Sequence, residues 1–194
     1  MWFASFIRMS MRPLGAGAVF ATACVLVPAQ AAAASIRYTI PGTAMPWVFH
    51  GINRKYKFGL GDGSAPIVVV LRDLNLHWGS VVSIRYVSGS VSADPGVYPY
   101  TEAGGDTSFL ANNGTGNGFG VFPSYYMTPY PIYLCELVGA FANKNGKIVG
   151  QPFAIADGPI SVTVPAHAAL LQLGVNDDKF SDNAGSWVVA VSKE

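Results

Sequence analysis

Charge is scarce in this chain. Of its 194 residues only 12% are Asp, Glu, Lys or Arg, and the formal net charge is +1. So balanced a chain carries no polycationic footprint, which argues against nucleic acid as a partner. Histidine occurs three times, at His50, His77 and His167. The three are scattered, and none forms a metal-binding pair of the HExxH kind. No G-x-S-x-G elbow is present to hold a serine nucleophile. Acidic pairs such as Glu102 with Asp106 exist, but no spacing fixes two carboxylates at the separation that glycoside hydrolysis needs. The sequence therefore gives no support for an enzyme. Helical periodicity over three turns is also missing beyond the first thirty or so residues. What remains is a chain 51% hydrophobic, with 22 Gly and 13 Pro. That composition suits one domain with a substantial core and many turns.

Cysteine is the scarcest feature of all, with Cys24 and Cys135 only. Cys24 falls in a segment with the layout of a secretory signal. Arg8 and Arg12 precede an apolar run over residues 14–27, followed by Pro28, Ala29, Gln30 and four alanines. This is the basic, apolar and small-residue order of a cleavable signal peptide, expected over residues 1–34. A membrane anchor is the alternative, but the apolar stretch is short for a span and ends at Pro28 and Gln30. A lipoprotein site at Cys24 is weaker, because Ala21 stands where a large aliphatic residue is expected. Processing would leave a secreted, periplasmic or cell-surface protein with no stable membrane insertion. Losing Arg8 and Arg12 leaves ten basic against eleven acidic residues, a net charge of −1. Cys135 would then have no partner for an intrachain disulfide. Its apolar neighbours Tyr133, Leu134, Leu137 and Val138 predict a buried thiol acting as a small hydrophobe.

The rest of the chain reads as short strands. "APIVVVLRD" (65–73) is rich in β-branched residues. "VVSIRYVSGSVS" (81–92) alternates apolar and polar positions. "YPIYLCELVGAF", "KIVGQPFAI", "ISVTVPA", "ALLQLGV" and "SWVVAVS" follow, each bounded by Gly, Pro, Asn or Asp. Period-two runs at this spacing predict an all-β fold, an antiparallel β-sandwich. Residues 35–64 read as a turn-rich N-terminal lead-in to a domain over 65–194. Their basic cluster, Arg54, Lys55 and Lys57, suits a solvated loop. Residues 93–129 form a second irregular stretch. Its "GTGNGFG" (114–120) is followed by Val121, Phe122 and Pro123 rather than by a helix, so it is no phosphate loop. Asn113-Gly114-Thr115 is a formal glycosylation sequon.

One short stretch breaks the poverty of charge. "LGVNDDKFSDNAGSWVV" packs three aspartates and two asparagines into residues 176–183, between two expected strands. A hard divalent cation takes six to eight oxygen ligands, and such a loop could supply carboxylates, an amide oxygen and backbone carbonyls. Asp177, Asp182 and Asn183 are the candidate side-chain ligands. The pattern is not an EF-hand, since Ser181 would fall at the required glycine and Trp187 at the final glutamate. An Asx-rich hairpin turn binding nothing is the competing explanation.

"LQLGVNDDKFSDNAGSWVVAV", preceded by "ISVTVPAHAAL" and "LCELVGAFANKNG", resembles the C-terminal half of bacterial calcium-dependent galactose-binding lectins of the PA-I type. The resemblance covers roughly residues 77–194 and is densest over the last sixty or so. It implies a jelly-roll-like β-sandwich holding one Ca2+, with sugar hydroxyls completing the ion's coordination. Carried over by position, it implies Asp177, Asp182 and Asn183 as side-chain ligands. Carbonyls near Phe180 or Ser181, and near Ala93, would add to them. Asp177, Asp178 and Asn183 would also face the sugar, with Tyr98 and Tyr100 offering aromatic faces to its apolar side. Glycans, galactosides among them, are the implied partners. The spacer from Asp177 to Asp182 is two residues shorter than in the galactose lectins. The family's further sugar-contacting His and Gln have no assigned counterpart in 93–129. An envelope protein in which Ca2+ only stabilises the fold stays open as the alternative. Sugar specificity and oligomeric state stay open as well.

Overall fold

A computed structural model describes residues 34–49, 51–111, 120–128 and 131–194. All of the expected signal segment except Ala34 lies outside the described residues. So do His50, the Asn113 sequon, the GTGNGFG run up to Phe119, and Tyr130. Ten strands are found in the described residues: β1 (Ser35–Pro41), β2 (Ile67–Val70), β3 (Val81–Ser92), β4 (Asp106–Leu110), β5 (Tyr133–Leu134), β6 (Glu136–Ala142), β7 (Phe153–Ala154), β8 (Ile160–Thr163), β9 (Leu170–Asn176) and β10 (Ala184–Lys193). Helix among these residues is limited to 3-10 turns at Gly51–Tyr56, Leu71–Leu74 and Pro123–Tyr126. None is long and apolar enough to cross a membrane.

The fold is all-β. One sheet has the order β1-β10-β3-β8, a second has β2-β9-β6-β7, and β4 pairs with β5. Every pairing is antiparallel. The two larger sheets give a sandwich-like arrangement. Their inward residues join in one core, with Ile40, Val82, Ile84, Trp187, Val189 and Val191 from the first sheet. Val69, Leu137, Leu171, Leu173 and Val175 come from the second. The pleat sends alternate side chains to opposite faces; β3 shows this from Val81 to Ile84, whereas β9 is covered on both faces and buried from Leu171 to Asn176. β6 is buried along its whole length, because both of its faces are covered. It therefore reads as a continuous apolar run.

The run expected as one strand over 130–141 is split at Cys135. This residue takes a left-handed backbone (φ 57°) and donates its N–H to the Asn176 carbonyl at 3.0 Å. β5 then turns to β4, whereas β6 turns to β9. Cys135 is buried, as its apolar neighbours predict. The expected strand over 65–73 stops at Val70, where a 3-10 turn begins. Of "KIVGQPFAI" only Phe153 and Ala154 pair as a strand.

Residues 35–64 are woven into the sheets. β1 pairs with β10 from Ser35↔Ser192 to Pro41↔Ser186. The chain then crosses the outer face of β9, where the Val48 N–H meets Gln172 Oε1 at 3.3 Å. Trp47, Phe49 and Phe58 pack edge to face, with Trp47 and Phe58 centroids 5.4 Å apart and Phe49 and Phe58 4.9 Å apart. The described residues form one compact unit.

Candidate functional site

The acidic stretch is the loop between β9 and β10, residues 177–183. Three supports from distant segments shape it. Phe180, fully buried, sets its ring against Phe58 at 5.5 Å, so the middle of the loop is anchored in the aromatic cluster of the N-terminal segment. Asp62 grips the loop from outside, accepting the Phe180 N–H at 2.9 Å and the Ser181 hydroxyl at 2.6 Å. Partial burial works against the Asp62 charge, but those two hydrogen bonds hold its carboxyl below the usual range. The Asp178 carbonyl accepts the Leu60 N–H at 2.8 Å.

With the backbone so held, the side chains turn inward. Asp177 is 3% exposed. Its Oδ1 accepts the N–H groups of Asp178 at 2.7 Å and Lys179 at 3.3 Å. Asn183 is 7% exposed and donates its Nδ2 to the Gly42 carbonyl at 2.9 Å, which fixes the orientation of the amide. Asp182 places Oδ2 2.7 Å from the Lys179 ammonium. Each of the three has one oxygen left over, the second carboxylate oxygen of each aspartate and the single amide oxygen of Asn183. Asp177 Oδ2, Asp182 Oδ1 and Asn183 Oδ1 are buried and accept no hydrogen bond from the protein. An unsatisfied buried polar atom costs about 1–3 kcal/mol, and more if charged, so three in one loop of seven residues is an expensive concentration. Burial pushes the Asp177 carboxyl up to about 8 against its two backbone hydrogen bonds and the nearby Asn183 amide, and the neighbouring Asp178 charge adds to the rise.

Asp177, Asp178, Lys179 and Asp182 line a cavity of about 230 Å³ together with Ala93, Asp94, Val97, Tyr98 and Leu134. Four aspartates and one lysine are thus among the lining residues. Part of this lining is built by the turn after β3, in which the Val97 and Tyr98 N–H groups bond the Asp94 carbonyl at 2.9 and 3.0 Å. The Tyr98 ring is braced edge-on by Phe109 at 6.0 Å. Cys135 lies close by. Burial, then the charges of Asp177, Asp106 and Asp182, push its thiol well above the ordinary range.

The other sequence-predicted residues fall as follows. Ala93 and Tyr98 line the cavity, as does the fully buried Asp178. The Phe180 carbonyl accepts the Asn183 N–H at 3.2 Å, and the Ser181 hydroxyl is taken by Asp62. Tyr100 is outside the cavity lining, exposed, with its ring edge near Gly185. Asn176, first of the polar run, belongs to the scaffold. Its amide donates to the Ala111 and Tyr133 carbonyls at 3.1 and 2.8 Å and accepts the Ser124 N–H at 3.0 Å. Asp94, beside the expected Ala93, also lines the cavity, while Asp62 and Gly42 complete the surroundings and had no signal in sequence beyond turn composition. Among the described residues no three His, Cys, Asp or Glu side chains form a metal-holding group. The convergence here is two carboxylates and an amide. Compared with known proteins, the chain matches no family model and no curated protein.

Proposed function

We propose that this is an exported, calcium-dependent carbohydrate-binding protein of jelly-roll-like sandwich fold, acting in the periplasm, at the cell surface or outside the cell. One observation carries the reading: the buried, unsatisfied oxygens of Asp177, Asp182 and Asn183 beside an acid-lined cavity. These atoms are hard donors, and two carboxylates balance the charge of Ca2+, so the residues present fit the ion. Asp177 Oδ2, Asp182 Oδ1 and Asn183 Oδ1 would hold it, with carbonyls near Phe180, Ser181 and Ala93 as further donors. When bound, Ca2+ supplies a positive centre to which vicinal sugar hydroxyls attach. The chain's own part is orientation. Gly42 fixes the Asn183 amide, Asp62 and Phe180 fix the loop, and Tyr98 forms a wall against which a sugar ring can lie. Asp94 and Asp178 are acceptors for its remaining hydroxyls. The resemblance to galactose-binding lectins makes galactosides the first glycans to try. The function is binding, with no bond made or broken.

The test is a calorimetric Ca2+ titration of chelator-treated protein, repeated on Asp182→Ala. Saturation near one ion per chain, abolished in the variant, is the expected result. A glycan array with and without chelator follows. Absence of calcium binding at millimolar concentration removes the reading. The depth of the loop supports a second one, an envelope protein in which the ion only ties β9 to β10. Calcium binding with no chelator-sensitive glycan on the array selects it.

A further inference from the structure

Resting on that calcium reading, we infer that Lys179 is a tethered competitor of the ion, a built-in cation that occupies Asp182 when Ca2+ is scarce. The geometry carries this. Lys179 lies three positions before Asp182 on the same loop, and its ammonium sits 2.7 Å from Asp182 Oδ2. Both residues line the cavity, and the other oxygen of Asp182 is one of the three that accept no hydrogen bond.

Two consequences follow from charge. Without a divalent ion, Asp94, Asp178 and Asp182 line one small space, and the Lys179 ammonium, 2.7 Å from Asp182, offsets part of their mutual repulsion. The loop can therefore stay formed in ion-free protein. With a divalent ion at Asp182, the ammonium would stand beside a second positive charge and must leave. Its side chain is 41% exposed and flexible, so departure into water is easy. Ion binding must then break this pair, and the affinity is weaker than the three oxygens alone would give. Loss of the ammonium should tighten calcium binding and loosen the ion-free loop, two effects of opposite sign from one substitution.

The experiment compares the whole protein with Lys179→Met, which keeps the stem and removes the charge, and with Lys179→Arg, which restores a cation. Calcium binding is measured by calorimetry and thermal unfolding is followed in chelator and in millimolar CaCl2. Lys179→Met is expected to bind Ca2+ roughly three- to tenfold more tightly, the range open to a partly exposed ion pair and its repulsion of the ion. It should melt lower than wild type in chelator but gain more from calcium, and Lys179→Arg should return toward wild type in both. Equal or weaker affinity in Lys179→Met overturns this inference and leaves the calcium reading standing. No calcium binding by any of the three proteins overturns both. Should Lys179→Met fold poorly, Lys179→Gln answers the same question.

Discussion

Gly59 offers a direct test of whether the N-terminal segment presses on the acidic loop. Its backbone is left-handed (φ 30°), and a β-carbon there would overlap the carbonyl of Asp178. The obstacle is backbone on both sides, since the Gly59 N–H is bonded to Val121 and the next N–H, that of Leu60, to Asp178 itself, each at 2.8 Å. Gly59→Ala should therefore cost about 1–2 kcal/mol for the backbone region and about 1–3 kcal/mol for overpacking. At about 2–4 °C per kcal/mol for a domain of this size, the melting temperature should fall by about 4–20 °C. Gly79→Ala is the control. Gly79 has φ 80° with nothing within 4 Å of its β-carbon position, so only the backbone cost of about 1–2 kcal/mol applies. The assay is a pair of thermal melts followed by circular dichroism, with calcium titration of both variants. Gly59→Ala should be the less stable and the weaker calcium binder. Equal melting of the two proteins would refute the claim that the N-terminal segment and the acidic loop are in rigid contact.

Other expectations can be checked with single variants. Asn176→Ala removes three hydrogen bonds and strands the Ser124 N–H, so it should destabilise by about 2–4 kcal/mol in urea unfolding, without direct loss of an ion ligand. Burial raises the Glu136 carboxyl to about 7. The folded state thus favours its neutral form, so stability is fully present below the ordinary carboxylate pKa and falls as pH rises through about 7. Melting temperatures measured from pH 4.5 to 8 should show that decline together with the like-signed one of Asp177, and Glu136→Gln should make it shallower without abolishing it; an unchanged slope would exclude a contribution from Glu136. Cys135, buried and with its thiol pushed up, should resist an aqueous thiol reagent in the native protein and react at once in denaturant. If the calcium reading holds, adding the ion at one hundred times its Kd should stabilise by about 2.7 kcal/mol, and Asp177→Ala should abolish the gain.

Where pattern and burial coincide, the sequence was easy to read. "VVSIRYVSGSVS" is β3 residue for residue, because one of its faces meets the core over much of the strand. The polar run before "AGSWVV" is a loop between strands, since so many carboxylates have no place in a pleated core. The buried cysteine was also legible from its neighbours. The split at Cys135 was not, because an apolar run shows no period to betray a left-handed residue within it. Nor was the role of residues 35–64. Gly42, Gly59 and Asp62 look like ordinary turn residues, and their partners lie more than a hundred positions away. Of the site, the sequence marked the inward side chains of the loop, but not the groups that aim them.

The first and last strands of the described domain lie side by side, and the loop's supports span 118 positions from Asp62 to Phe180 and 141 from Gly42 to Asn183. Closing contacts over such separations is slow, since chain entropy must be spent before they give anything back. The Gly42 hold on Asn183 lies directly beside the β1–β10 pairing, so this part of the loop is completed together with that pairing. A segment emerging early from a ribosome or a translocation pore must therefore wait for one emerging late. Until then the four aspartates remain hydrated and apart. Any capacity to hold an ion is thus acquired at the end of folding, and truncation of either end of the domain should erase it together with the sheet.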